Sequence, residues 1–114
     1  MAGPTHIQVH HGDPTRITFV GGRFDGIAIR ELFEAAMALP DHPRLLVDCE
    51  GVEMISSGAM GMLVTIHKRF VSHGGQLHVA VPDRRVRHAL EIANLHRLLR
   101  VFDDSVGAAA AFDR

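Results

Sequence analysis

The sequence of 114 residues predicts an α/β domain with a mixed sheet of four to five strands and about four helices. Stretches of two-residue alternation and short apolar runs interleave with stretches whose apolar residues recur three and four positions apart, the pattern of strand alternating with helix. The first two strand-like stretches are separated by a short turn and can pair as a hairpin, whereas the later ones are joined by helix-length crossovers. The length lies in the range in which one core is buried without disulfides or metal, so residues 1–114 are expected to form a single domain.

Ile7-Gln8-Val9-His10 and Thr15-Arg16-Ile17-Thr18-Phe19-Val20 alternate across His11-Gly12-Asp13-Pro14 and read as the hairpin, closed by Gly21-Gly22. After Asp25-Gly26, Ile29, Leu32, Phe33 and Ala36 recur at helical spacing up to Leu39-Pro40, giving a first helix with Asp25 as its cap. Leu45-Leu46-Val47 is a continuous apolar run, as in a central strand buried on both faces. A second helix opens at Ser57, runs through Met60, Leu63, Val64, Ile66, Phe70 and Val71, and closes at His73-Gly74-Gly75. Leu77-His78-Val79-Ala80-Val81 follows as a strand. Pro82-Asp83 starts a third helix with Val86, Ala89, Leu90 and Ala93, and Asn94 takes the left-handed terminating conformation. Arg100-Val101-Phe102 is a last edge strand, and Val106 to Phe112 an Ala-rich helix of little core volume.

The formal charge of −1, with both signs intermixed, argues against nucleic acid or a membrane surface as partner, and the lack of Trp and Tyr removes a base-stacking platform. The single Cys49, inside an apolar run, reads as a small buried residue of a reducing compartment. The N-terminus lacks a secretory pattern and no apolar stretch reaches the roughly 20 residues of a membrane span, so a cytoplasmic protein without membrane insertion is expected. The nine histidines show no His-x-x-x-His pair and no Cys-x-x-Cys motif occurs, so they read as solvated surface with no metal site, and no cofactor is expected. His88 and His96 lie among Arg84, Arg85, Arg87 and Arg97, which could meet an acidic partner surface. Neither a Gly-x-Ser-x-Gly elbow nor a phosphate-cradling Gly-x-x-x-x-Gly-Lys loop is present, which argues against an enzyme.

The stretch Met54-Ile55-Ser56-Ser57-Gly58-Ala59-Met60-Gly61 places two hydroxyls between the end of a strand and the start of a helix. At a helix N-terminus unpaired N–H groups and the positive end of the macrodipole favour either a hydroxyl cap or a phosphate. Ordinary capping and phosphorylation both fit these residues.

With the order of elements in hand, the chain resembles the STAS domain family, and within it the stand-alone bacterial anti-sigma factor antagonists. Three stretches carry the resemblance: Gly22-Arg23-Phe24-Asp25 with Leu32, the segment Leu46 to Ser57, and Gly74-Gly75-Gln76-Leu77 continued by Val86, Leu90 and Leu95. An ungapped register from Asp48 to Gly74-Gly75 puts Ser57 on the family's phosphoacceptor; Ser56 is the second choice, at the cost of a one-residue insertion. Ser56 stands where the best-studied antagonists have Asp, and Gly58-Ala59 where a small residue is followed by Gly, so that the Ala59 methyl could restrict the loop or a partner's approach.

The resemblance implies partner switching. The unphosphorylated protein binds an anti-sigma factor with serine/threonine kinase activity, phosphorylation of Ser57 releases it, and a serine phosphatase resets it. Asp25, Ser56, Ser57, Gly58, Met60 and Gly61 would form the partner surface, with Met62 and Asp48 as lesser candidates. Asp25 has a structural alternative as a helix cap, and Asp48 as a turn residue. The same family also supplies accessory subunits of phospholipid and anion transporters, and scaffolds of signalling assemblies; in an accessory subunit Ser57 would only cap its helix.

Overall fold

The computed structural model describes residues 3–112. Alternating side chains in β1 (His6–His10) and β2 (Thr15–Val20) pair antiparallel, with Val9 opposite Ile17 and Ile7 opposite Phe19. After β3 (Arg23–Phe24) and helix α1 (Gly26–Met37), the apolar run becomes β4 (Arg44–Asp48). Then follow β5 (Met54–Ile55), α2 (Ser57–Ser72), β6 (Gln76–Ala80), α3 (Arg84–Ile92), one 3-10 turn (Leu95–Arg97), β7 (Arg100–Phe102) and α4 (Ser105–Ala110). The main sheet has the order β1-β2-β4-β6-β7, parallel except for the hairpin, and β3 pairs with β5 in a separate two-stranded ribbon. The fold is thus the expected mixed α/β arrangement. No helix among the described residues is long and apolar enough to cross a membrane.

Because β4 is central and covered on both faces, it is apolar without alternation. One face, carrying Ile17, Leu45, Val47, Leu77 and Val79, packs against Leu32 of α1, Leu63, Ile66 and Phe70 of α2, and Val86 and Leu90 of α3. The other face carries Leu46 and Ala80, which meet Ala108 of α4 and Phe112. The alanines of α4 contribute little volume, but they let a short helix lie close on the sheet.

Several expectations need correction. Phe33 and Val71 are exposed, because the buried stripes run through Ala28, Leu32 and Ala36 in α1 and through Ala59, Leu63, Ile66 and Phe70 in α2. Ala93 ends α3 as an exposed residue instead of packing. Asp25 occupies the N-cap position of α1 without a side-chain capping bond. His78 is fully buried, against the expectation of solvated histidines: it points to the second face, where its ring stacks 3.7 Å from that of Phe112. Its Nδ1 donates to the Ala108 carbonyl at 2.9 Å, which leaves Nε2 to accept from Arg100 Nη1 at 3.3 Å. Among the described residues no cluster of three or more His, Cys, Asp or Glu could hold a metal.

Candidate functional site

The chain leaves the centre of the sheet at the carboxyl end of β4. Cys49 N–H continues the ladder to the Ala80 carbonyl at 2.8 Å, and Val52 N–H donates to Cys49 O at 3.0 Å to close a tight turn. Gly51 sits in that turn at φ 84°, a conformation that residues with a Cβ rarely adopt. Asp48, 2% exposed, accepts from Glu50 N–H at 3.1 Å and lies 3.6 Å from Arg16, so it secures the turn from inside and presents nothing to a partner. Burial pushes the Cys49 thiol far up, with the Asp48 charge adding to the effect, so the thiol stays protonated and inert.

The ribbon then positions the two serines. Glu53 and Met54 N–H groups both donate to Gly22 O, at 2.7 and 3.2 Å, and Ser56 N–H donates to Phe24 O at 3.1 Å. Parallel pairing of Phe24 with Ile55 sets the next residues, Asp25 and Ser56, side by side at the starts of α1 and α2. Asp25 turns to Arg23, Nε to Oδ2 3.1 Å, rather than to its own helix. That ion pair was invisible in the sequence, since a residue two positions before an N-cap carries no signal of pairing.

Ser56 has extended backbone, φ −81° and ψ 161°, and its Oγ accepts from Ala59 N–H at 3.1 Å. It is therefore the N-cap of α2. Ser57 is the first helical residue, is exposed, and its hydroxyl has no hydrogen-bond partner among the described residues. The two hydroxyls are thus divided: one is occupied by the helix end and half-buried, the other is open. The alternative in which Ser57 only caps its helix is corrected by this geometry, for the capping oxygen belongs to Ser56.

Gly58 and Gly61 are exposed, and a Cβ on Gly61 would meet nothing within 4 Å. Ala59 is fully buried, so its methyl points into the core and does not restrict a partner's approach as anticipated. Met60 and Met62 are half-buried and packed against the core, leaving part of each at the surface. Serines, Gly58, Gly61, Met60 and Asp25 therefore surround the junction of the ribbon with α2.

α3 flanks this junction. Arg85 and Val86 line a shallow hollow together with Glu53, Met54 and Ile55. The Asp83 carboxylate caps α3 by accepting from Arg85 N–H at 2.8 Å and Val86 N–H at 3.2 Å. The Arg85 guanidinium lies 3.0 Å from it, and this contact, with the two N–H groups, holds the Asp83 carboxyl below its usual range.

A protein of Thermotoga neapolitana, named provisionally as an anti-sigma factor antagonist, is 35% identical over 60 residues, covering 53% of this chain and 53% of that protein. A Thermotoga maritima protein of the same provisional name is 35% identical over 52 residues, 46% of each. The match thus spans about half the length of these curated relatives. In fold, the chain superposes on an anti-sigma-factor antagonist (STAS) domain protein of Planctomyces limnophilus with a TM-score of 0.81 at 23% identity, over 93% of this chain and 97% of that one. An anti-sigma factor antagonist from Mycobacterium paratuberculosis superposes with a TM-score of 0.76 at 18% identity, over 97% and 96%. The profile of the STAS domain matches residues 6–109, and the chain belongs to the STAS domain family.

Proposed function

We propose that this STAS domain is an anti-sigma factor antagonist of a bacterial partner-switching pathway, acting in the cytoplasm as the substrate of a kinase rather than as an enzyme, with residues 1–114 folding as a single unit. The observation that carries the reading is the exposed, unbonded Ser57 hydroxyl on the first residue of the 16-residue helix α2, beside a Ser56 whose hydroxyl is already used. The names of the relatives supply the class of partner.

Unphosphorylated, the surface of Asp25, Ser57, Gly58, Met60 and Gly61 binds an anti-sigma factor with serine/threonine kinase activity. In the transfer, the Ser57 oxygen bonds to the γ-phosphorus of ATP, the bond from that phosphorus to the bridging oxygen of ADP breaks, and the hydroxyl proton leaves. A serine phosphatase reverses the modification by hydrolysis. Phosphate adds about −1.5 to −2 charges at neutral pH. The N–H groups at the start of α2 and its macrodipole tolerate that charge within the domain. A partner surface that fits a neutral hydroxyl does not, because it would have to desolvate the phosphate without a cation to oppose it. Folding persists and binding is lost.

The test compares wild type, Ser57→Ala and Ser57→Asp as baits in the native host, followed by titration of the retained protein. Wild type and Ser57→Ala should hold a histidine-kinase-like ATPase with similar affinity, and Ser57→Asp should bind it at least about tenfold more weakly, about 1.4 kcal/mol. Equal retention of all three, above all of a transporter ATPase or permease, would overturn the proposal.

A further inference from the structure

Arg84, His88 and Ile92 recur at intervals of four along α3 and form one outward stripe, opposite the buried Val86 and Leu90. The His88 side chain is 71% exposed, with Nδ1 3.9 Å from the exposed Glu91 carboxylate; Ile92 is 73% exposed, and Arg85, 77% exposed, flanks them. Residues 84–97 hold four of the chain's twelve basic side chains and one of its thirteen carboxylates, although the whole chain is acidic by one charge.

Cations in the first turn of a helix oppose the macrodipole and cost stability. Within the fold, two of the three arginines in α3 are offset. Arg85 is paired with Asp83, and Arg87 donates to the Val81 and Pro82 carbonyls at 2.9 and 3.1 Å, with Asp103 at 3.7 Å. Arg84 has no ion-pair partner among the described residues. The domain therefore keeps an unfavourably placed cation without an ion-pair partner on the same stripe as an exposed isoleucine about two turns further on. Arg85 is shared between that face and the hollow it lines with Glu53, Met54, Ile55, Val86 and Ala89, beside the strand that leads to Ser57.

We propose that this face of α3 docks an acidic segment of the partner protein, with carboxylates against Arg84, Arg85 and His88 and an apolar side chain over Ile92. Charge complementarity selects the occupant, and continuity with the Ser57 junction makes it part of the same interface. The identity of the partner rests on the proposed switch; the chemistry of the surface does not. An acidic partner also explains why phosphate on Ser57 would be repelled: the surface that attracts carboxylates to α3 brings them towards the new negative charge.

The experiment is a titration of the 15N-labelled protein with poly-L-glutamate at low salt, with poly-L-lysine as control, followed by amide shifts. Shifts centred on Arg84, Arg85, His88 and Ile92 are expected, abolished by salt and weakened about tenfold or more in Arg84→Glu/His88→Gln, a variant whose single new carboxylate suits the first turn of α3 and leaves the spectrum dispersed. Shifts centred elsewhere, or an unchanged affinity in the variant, would overturn the inference. So would sedimentation with phosphatidylglycerol vesicles in the absence of any response to poly-L-glutamate, which would assign the face to a membrane. Ser57 takes no part in this titration, so its failure is separable from failure of the switch.

Discussion

Replacing Ser56 by alanine removes the oxygen that accepts the Ala59 N–H and should cost about 1 kcal/mol of stability. Ser57→Ala, at an exposed hydroxyl without a partner, should change stability by no more than about 0.5 kcal/mol. Denaturant midpoints of the two variants measure the difference directly; equal losses would place the cap elsewhere. Residue type alone does not say which serine caps the helix; the register of the family resemblance pointed to Ser57 as acceptor, and the extended backbone of Ser56 identifies the cap. His78 was misread for a related reason. Histidine at an alternating position gives no sign of which face of the sheet will be covered, and here α4 covers it. Burial lowers its pKa, the Ala108 hydrogen bond partly opposes this, and Arg100 and Arg44 lower it further. The folded state thus binds its proton less readily than the unfolded chain, whose histidines titrate near ~6.5. Stability is therefore full above about pH 6.5 and falls as pH drops through that value towards the folded pKa. His67 shifts in the same direction because of its burial, so the diagnostic is a comparison: the melting temperature of His78→Phe should fall less between pH 7 and 5 than that of wild type. Parallel profiles would rule out His78 as a source of the acid sensitivity.

At the scale of elements, helices and long strands were legible because each buries a face that repeats with its own period. The pairing of β3 with β5 was not, since two residues each have no period, and the ribbon exists through backbone bonds to Gly22 and Phe24. That unread ribbon is what places Asp25 beside Ser56, so the candidate site was legible in its residue types and illegible in its geometry. Gly61 separates stability from binding. Inside α2 with open space around it, Gly61→Ala should raise stability by about 0.5–1 kcal/mol while its methyl group obstructs the proposed partner surface. Thermal melts and partner titration should move in opposite directions; unchanged affinity would remove Gly61 from the interface.

Across the whole molecule, the parallel strands β4 and β6 run in one direction, so the turn that leads to Ser57 and the segment that leads to α3 leave the sheet at the same end. Open α/β sheets gather their binding sites at the carboxyl ends of strands. Here that end brings together an exposed serine hydroxyl and an arginine-bearing helix face, while the opposite face of the sheet is sealed by α4 and Phe112. The architecture followed from the sequence because strand and helix periods agree with tertiary burial nearly throughout, whereas the meeting of α3 with β5 is a product of packing between segments about 30 residues apart and left no local trace. The most direct test of the account is incubation of wild type, Ser56→Ala and Ser57→Ala with the captured kinase and Mg-ATP, followed by mass-spectrometric mapping. One phosphate is expected on Ser57 in wild type and in Ser56→Ala, and none in Ser57→Ala; phosphate on Ser56, or incorporation that survives in Ser57→Ala, would overturn the assignment of Ser57.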